Sequence, residues 1–171
     1  DLGHLRKRIG IVLQDVFLFN GTIYENLSMH DPEISLPKVE ECAKKLGVHT
    51  FIEELPGAYN FQISERGVNL SVGQRQLLSF VRAMVFDPDI LVLDEATSSI
   101  DNRTEATIQS AIEQLLANRT SITIAHRLST IQNADLLLVL ENGEIKEIGS
   151  IAELSQRKGS YLYHLERSRL N

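Results

Sequence analysis

The sequence predicts an α/β chain built around an open sheet, on three observations. Segments of helical period alternate with short apolar runs. One run, Ile90, Leu91, Val92 and Leu93, is apolar at four consecutive positions, as in a strand covered on both faces. Polar residues collect just after the strand ends, at Gln14, at Asp94 and Glu95, and at His126, which is where ligands bind in open α/β sheets.

Taken in order, "RIGIVLQD" gives an apolar run from Ile9 to Leu13, read as a buried strand ending at Gln14. Asn20 and Gly21 then signal a turn. Between Ser35 and Gly47 the pattern is helical. Pro37 suits the first turn, Leu36, Val39, Ala43 and Leu46 share a face, and Gly47 can end the helix. "HTFIEELPG" reads as a short helix stopped at Pro56 and Gly57. Ser71 is an N-cap for a helix with Leu77, Leu78, Val81, Met84 and Val85 on its apolar face, ended by Asp87, Pro88 and Asp89. After the Ile90 strand, a helix from about Asn102 carries Ile108, Ala111, Ile112, Leu115 and Leu116 on one side. "TSITIAH" is a strand ending at His126, "DLLLVLENGEIKEIG" a hairpin about Asn142 and Gly143, and the tail from Ser150 an amphipathic helix with Leu154, Tyr161, Leu162 and Leu165.

A chain of 171 residues is long enough for one domain with a real core. At 43% hydrophobic and 23% charged it is neither disordered nor fibrous. The net charge of −6 argues against a nucleic-acid domain. The basic cluster Arg6, Lys7 and Arg8 reads as a solvated face before a strand. Cys42, the one cysteine, falls on the apolar side of a helix and reads as a small core residue. No apolar run approaches the ~18 residues of a membrane span.

Asp94 and Glu95 point to different sides of an extended backbone, so one could hold a metal while the other faces a water. Oxygen ligands suit Mg²⁺. Taken alone, two acids are equally well explained by a strand end that has reached solvent, and a lone His126 is more often structural. Ser71, Val72 and Gly73 open a helix whose free N–H groups and dipole favour an anion, although an ordinary serine cap explains the tripeptide as well. No Gly-Lys-Ser/Thr phosphate loop occurs in the 171 residues.

Together these residues resemble the nucleotide-binding domain of ATP-binding cassette (ABC) proteins, almost end to end. "LSVGQRQ" resembles the signature motif, with Leu70, Ser71, Gly73 and Gln74 kept and Val72 where the family usually has glycine. "ILVLDE" resembles the Walker B strand with the acid that follows it. "SSID", with Ser98 and Asp101, resembles the D-loop, "IAHRLSTI" the switch-histidine segment, and "VLQDVFLFNGTIYENL" the Q-loop region. "SERG", with Glu65, Arg66 and Gly67, resembles the X-loop of ABC exporters.

The resemblance implies a P-loop NTPase (RecA-like) core sheet with an inserted α-helical subdomain. Residues 1–19 and 89–171 would form the core, and residues of about 20–88 the helical part with the signature. It implies ATP and Mg²⁺ as ligands. Asp94 and Gln14 would be at the metal, Glu95 the base, His126 at the γ-phosphate, and Ser71 and Gly73 at the γ-phosphate held by a second cassette. Glu65, Arg66 and Gly67 would lie near an exporter's transmembrane domain, on the cytoplasmic face of the cell membrane. The P-loop strand and helix expected before the Q-loop are not among these residues. Two expectations follow from that. Sheet edges would be exposed, and this chain alone would not turn over ATP. The alternatives are a soluble ABC ATPase acting on ribosomes or DNA, which would lack "SERG", and a non-enzymatic fragment offering only a signature surface.

Overall fold

A computed structural model of the chain describes residues 1–94, 102–125 and 131–162. The chain divides into two compact units, Asp1–Ile124 and Ala125–Asn171.

The first unit is organised by three parallel strands, β1 (Ile9–Val12), β4 (Ile90–Asp94) and β5 (Thr120–Ile124), in the order β1-β4-β5. Their register pairs Val12 with Leu93 and Leu93 with Thr123, and Ile11 with Val92 and Val92 with Ile122. Residues paired across strands share a face, and successive residues alternate. One face therefore carries Val12, Leu91 and Leu93, all buried. Two helices pack in that same core, α5 (Val72–Val85) through Leu77, Leu78 and Val81, and α6 (Asn102–Leu116) through Ile108, Ala111 and Ile112. The opposite face carries Ile11, Val92, Ile122 and, next to Asp94, Ile124.

That opposite face is open, with Ile122 59% and Ile124 51% exposed, and Ile11 and Leu13 also exposed. The expectation that β1 is buried and that β4 is covered on both faces is corrected here: Ile90 and Val92 are only half-buried. Four consecutive apolar residues prepare a strand for two layers, and the described residues supply a layer on one face.

Between β1 and α5 lies a helical section. A short antiparallel pair, β2 (Gly21–Thr22) with β3 (Gln62–Ile63), frames α2 (Ile23–Ser28), α3 (Leu36–Lys45) and α4 (His49–Glu53). The helix α2 starts on a reciprocal capping box: Thr22 Oγ1 accepts from the Glu25 N–H at 3.0 Å, and Glu25 Oε2 accepts from the Thr22 N–H at 2.7 Å. The Asn20-Gly21 signal thus leads into a strand and a helix. In α3, Val39, Ala43 and Leu46 are buried as expected, while Leu36 is exposed. Cys42 lies in the core, where burial pushes its thiol pKa up and keeps it unreactive. A helix not foreseen, α1 (Leu2–Arg8), precedes β1; Asp1 caps it, none of its residues is buried, and Arg8 pairs with Asp89.

The second unit contains a hairpin, β6 (Leu137–Glu141) and β7 (Glu144–Gly149), turning at Asn142 and Gly143. Both turn residues have positive φ, 51° and 80°, which asparagine and glycine tolerate best. Ser150 then caps α7 (Ile151–Gln156) with Glu153 completing the box. Ile131, Leu154 and Leu162 form a small core. The expectation of one helical tail is corrected: Arg157 turns extended at ψ 99° and Gly159 takes φ 93°, which ends α7. Leu165 lies outside the described residues.

An open apolar face flanked by the edge of β5, which has no further strand paired to it among the described residues, invites pairing with another chain. This 171-residue polypeptide is expected to self-associate in sedimentation velocity, and the double variant Ile122→Lys, Ile124→Lys to shift it towards monomer. A clean monomer of the unmodified chain with a sharp cooperative melt contradicts this.

Candidate functional site

Parallel strands end together, so whatever follows each strand is gathered at one sheet edge. Asp94 is the last residue of β4 and pairs in register with Ile124, the last residue of β5. Gln14 follows β1 by two residues and is exposed. The structure thus brings Gln14 and Asp94 to the same edge, where β5 also ends, at Ile124. Glu95, Ser98, Asp101 and His126 lie outside the described residues. By register Asp94 stands on the open face of the sheet, half-buried, at the end of the row formed by Val92 and Ile122.

Among the described residues no three His, Cys, Asp or Glu side chains cluster as a metal cage. One carboxylate and one amide at the same strand ends, as donor types, suit a hard cation that keeps most of its shell as water and phosphate oxygen, as Mg²⁺ does.

The second place is the turn that opens α5. Ser71 Oγ accepts from the Gln74 N–H at 3.1 Å, and Gln74 Oε1 accepts from the Ser71 N–H at 2.9 Å. This box uses up two donors. The N–H groups of Val72 and Gly73 have no hydrogen-bond partner among the described residues and remain for an anion. Val72 is the first residue of the helix and its side chain is 54% exposed, so replacing glycine there leaves the backbone of the turn intact. Leu70 is buried beneath the turn and anchors it.

Immediately upstream, Glu65–Gly67 form a single tight turn. Glu65 and Arg66 are exposed, and Gly67 is buried. Arg66 holds a left-handed φ of 59° and Gly67 one of 66°. Asn69 braces the turn, accepting from the Ser64 N–H at 3.0 Å and donating to the Gln62 carbonyl at 2.8 Å. Arg75, on the first turns of α5, donates from one guanidinium nitrogen to the carbonyls of Gly67 at 3.2 Å and Leu70 at 2.7 Å.

Residues 1–98 match the family model described as "ABC transporter". The chain is 51% identical over 157 residues to the uncharacterized ABC transporter ATP-binding protein YfiC of Bacillus subtilis, covering 92% of this chain and 26% of that protein. The chain belongs to the ABC transporter family. It is also 47% identical over 164 residues to a fatty acid ABC transporter ATP-binding/permease protein of Mycobacterium bovis, covering 96% of this chain and 26% of that one. Among solved structures, a bacterial Atm1-family ABC exporter with ATP bound superposes with a TM-score of 0.86 at 39% identity, over 99% of this chain and 29% of that chain. The ABC transporter chain described here therefore spans about a quarter of the length of the curated relatives it matches.

Sequence reasoning missed several residues of this ABC transporter chain. Asn26, buried in α2, accepts from the Phe19 N–H at 2.8 Å and donates to the carbonyls of Phe19 and Thr22, both at 3.0 Å. Arg82 of α5 donates to the Asn26 carbonyl at 2.9 Å and to the Phe17 carbonyl at 3.1 Å. Burial pulls its guanidinium pKa below the ordinary arginine value. This network holds the loop after Gln14 so that Phe17 and Phe19, edge-to-face at 5.0 Å, stand exposed with Met29. A cavity of about 470 Å³ lies beside them, lined by Val16, Phe17, Met29, Arg82 and Phe86. The only signal in the sequence was the density of aromatics in "QDVFLFNG".

The observed capping role of Ser71 and the nucleotide contact expected of its turn separate by substitution. Ser71→Ala loses the cap and should cost about 1 kcal/mol in chemical denaturation. Ser71→Asp keeps a capping acceptor and a favourable dipole interaction, so stability is retained. In a longer protein carrying a complete cassette, a turn that contacts nucleotide phosphate predicts that Ser71→Asp abolishes nucleotide-driven closure, because the added carboxylate repels the phosphate. Normal closure in Ser71→Asp, read by crosslinking, removes the turn from nucleotide contact.

Proposed function

We propose that this chain is part of the ATP-hydrolysing motor domain of an ABC exporter, acting at the cytoplasmic face of a membrane. The observation that carries the reading is the shared strand end: Asp94 closes β4 and Gln14 follows β1 by two residues, at one edge of a parallel sheet. The family membership and the likeness to an ABC exporter with ATP bound support it. Among the described residues no helix is long and apolar enough to cross a membrane. A transmembrane domain, on the same or another chain, would therefore be formed by other residues.

In this reading residues 1–19 and 89–171 belong to the catalytic core and about 20–88 to the helical part. The open sheet face is the seat of the phosphate-loop helix, which would bring a nucleotide to Asp94. Phosphoryl transfer needs positioning and charge neutralisation more than covalent chemistry. Asp94 and the Gln14 amide oxygen would hold Mg²⁺, which supplies charge neutralisation at the phosphates when bound. Glu95, the next residue after β4, orients a water and receives its proton. The water oxygen bonds to the γ-phosphorus as the bond to the β–γ bridging oxygen breaks. His126 steadies the charge that develops on the γ-phosphate.

The Ser71 turn serves a different nucleotide. Val72 and Gly73 would donate their N–H groups to the γ-phosphate held by a second cassette, with Leu70 and Gln74 holding the turn. The D-loop residues Ser98 and Asp101 would lie at that same junction. The γ-phosphate then joins two cassettes: binding closes them and hydrolysis releases them. Glu65 and Arg66, with the exposed Phe17, Phe19 and Met29, offer the surface for the transmembrane domain.

In a protein carrying these residues with a complete cassette, Glu95→Gln should preserve ATP binding and lower turnover by roughly a hundredfold or more. Unchanged turnover removes Glu95 from its role. These 171 residues alone, which contain no Gly-Lys-Ser/Thr loop, should release no phosphate from ATP. Steady release that vanishes on Glu95→Gln contradicts this.

A further inference from the structure

Two arginines on α5, Arg75 and Arg82, are seven residues apart, about two turns, and so share one stripe of the helix. Among the described residues neither pairs with a carboxylate. Each directs its guanidinium at backbone carbonyls outside α5: Arg75 at the segment before the helix, Arg82 at the loop after Gln14 and at α2. Arg75 takes Gly67 and Leu70 at 3.2 and 2.7 Å, and Arg82 takes Phe17 and Asn26 at 3.1 and 2.9 Å. Arg82 also reaches the Asn26 side-chain oxygen at 3.3 Å.

The two loops touch each other at Gly67. A Cβ built there would lie 2.8 Å from Arg75 Cδ and 3.0 Å from Leu18 Cδ1. Leu18 is fully buried and adjacent in sequence to Phe17. Glycine is needed at this position twice over, for its φ of 66° and for the space that Arg75 and Leu18 fill. The contacts therefore close a ring: Phe17 carbonyl, Arg82, the body of α5, Arg75, Gly67, Leu18, and back to Phe17.

We infer that Arg75 and Arg82 are positioning residues that make the Gln14-side loop, the Glu65–Gly67 turn and the Ser71 end of α5 move as one body. Arg82 takes its two carbonyls with two nitrogens of one planar fork, and Arg75 takes its two with one terminal nitrogen, so each guanidinium ties two backbone points together. A partner pressing on Phe17 and Phe19, or on Glu65 and Arg66, thereby displaces the Ser71 turn. That use of the ring rests on the motor-domain reading above; the ring itself does not.

The test is hydrogen–deuterium exchange on this 171-residue chain and its variants Arg75→Met and Gly67→Ala, with no nucleotide present. Each variant should speed exchange about tenfold in residues 64–71 and also in residues 15–20, while α3 keeps its rate. Acceleration confined to 64–71 makes Arg75 a local turn brace and overturns the inference. Acceleration spread equally over α3 in both variants makes these ordinary stability contacts and overturns it too. Because no ATP enters the measurement, its outcome is separate from the fate of the motor-domain reading.

Discussion

The parallel register of β1, β4 and β5 is the constraint on which the rest depends. It places Val12 and Leu91 on one face and Ile11, Val92 and Ile122 on the other. It also makes the three strands finish at one edge. The buried face fixes α5 and α6 in the core with Leu93 and Ile112. The edge gathers Gln14 and Asp94. A slip of one residue in β4 would reverse its faces and turn Asp94 towards the helices, where an unpaired carboxylate is costly. Core packing and the chemistry at the strand ends are thus set by the same pairing.

Helix α5 carries the second half of the account. Its apolar stripe, from Leu77 to Val85, packs in the core with α6 and the sheet, while two N–H groups at its N-terminus have no partner among the described residues. Its arginines reach out to the loops on either side. Arg82 is half-buried against carbonyl oxygens, and it gives the loop after Gln14 a fixed shape that a solvated loop would lack. That fixed shape in turn keeps Phe17 and Phe19 at the surface, where their exposure has no benefit to folding.

Much of this was legible in the sequence. The apolar spacing of α3, α5 and α6, the Ser71 cap, the Asn142-Gly143 hairpin and the placing of Gln14 and Asp94 at strand ends are local patterns, and local patterns survive translation into structure. The failures share a cause. Helices α1 and α2 have seven and six residues, too short for a periodic stripe, and α2 is announced only by Thr22 and Glu25. A run such as Ile90 to Leu93 looks the same whether one face is covered or two. Leu154 and Leu162 both bury, so the tail read as one helix although Gly159 breaks it. The role of Arg82 left no local signal, because its acceptor at Phe17 lies 65 residues away.

The central claim is that the strand-end group and the Ser71 turn of one chain serve two different nucleotides. It is tested most directly by phosphate release from mixed dimers of a protein carrying these residues and a complete cassette. One copy bears Ser71→Asp and the other Glu95→Gln. Shared sites pair the intact Glu95 of the first copy with the intact Ser71 turn of the second, so the mixture should recover turnover that neither variant shows alone. A mixture as inactive as its parts would mean that both groups act on the same copy's nucleotide, and would contradict the account.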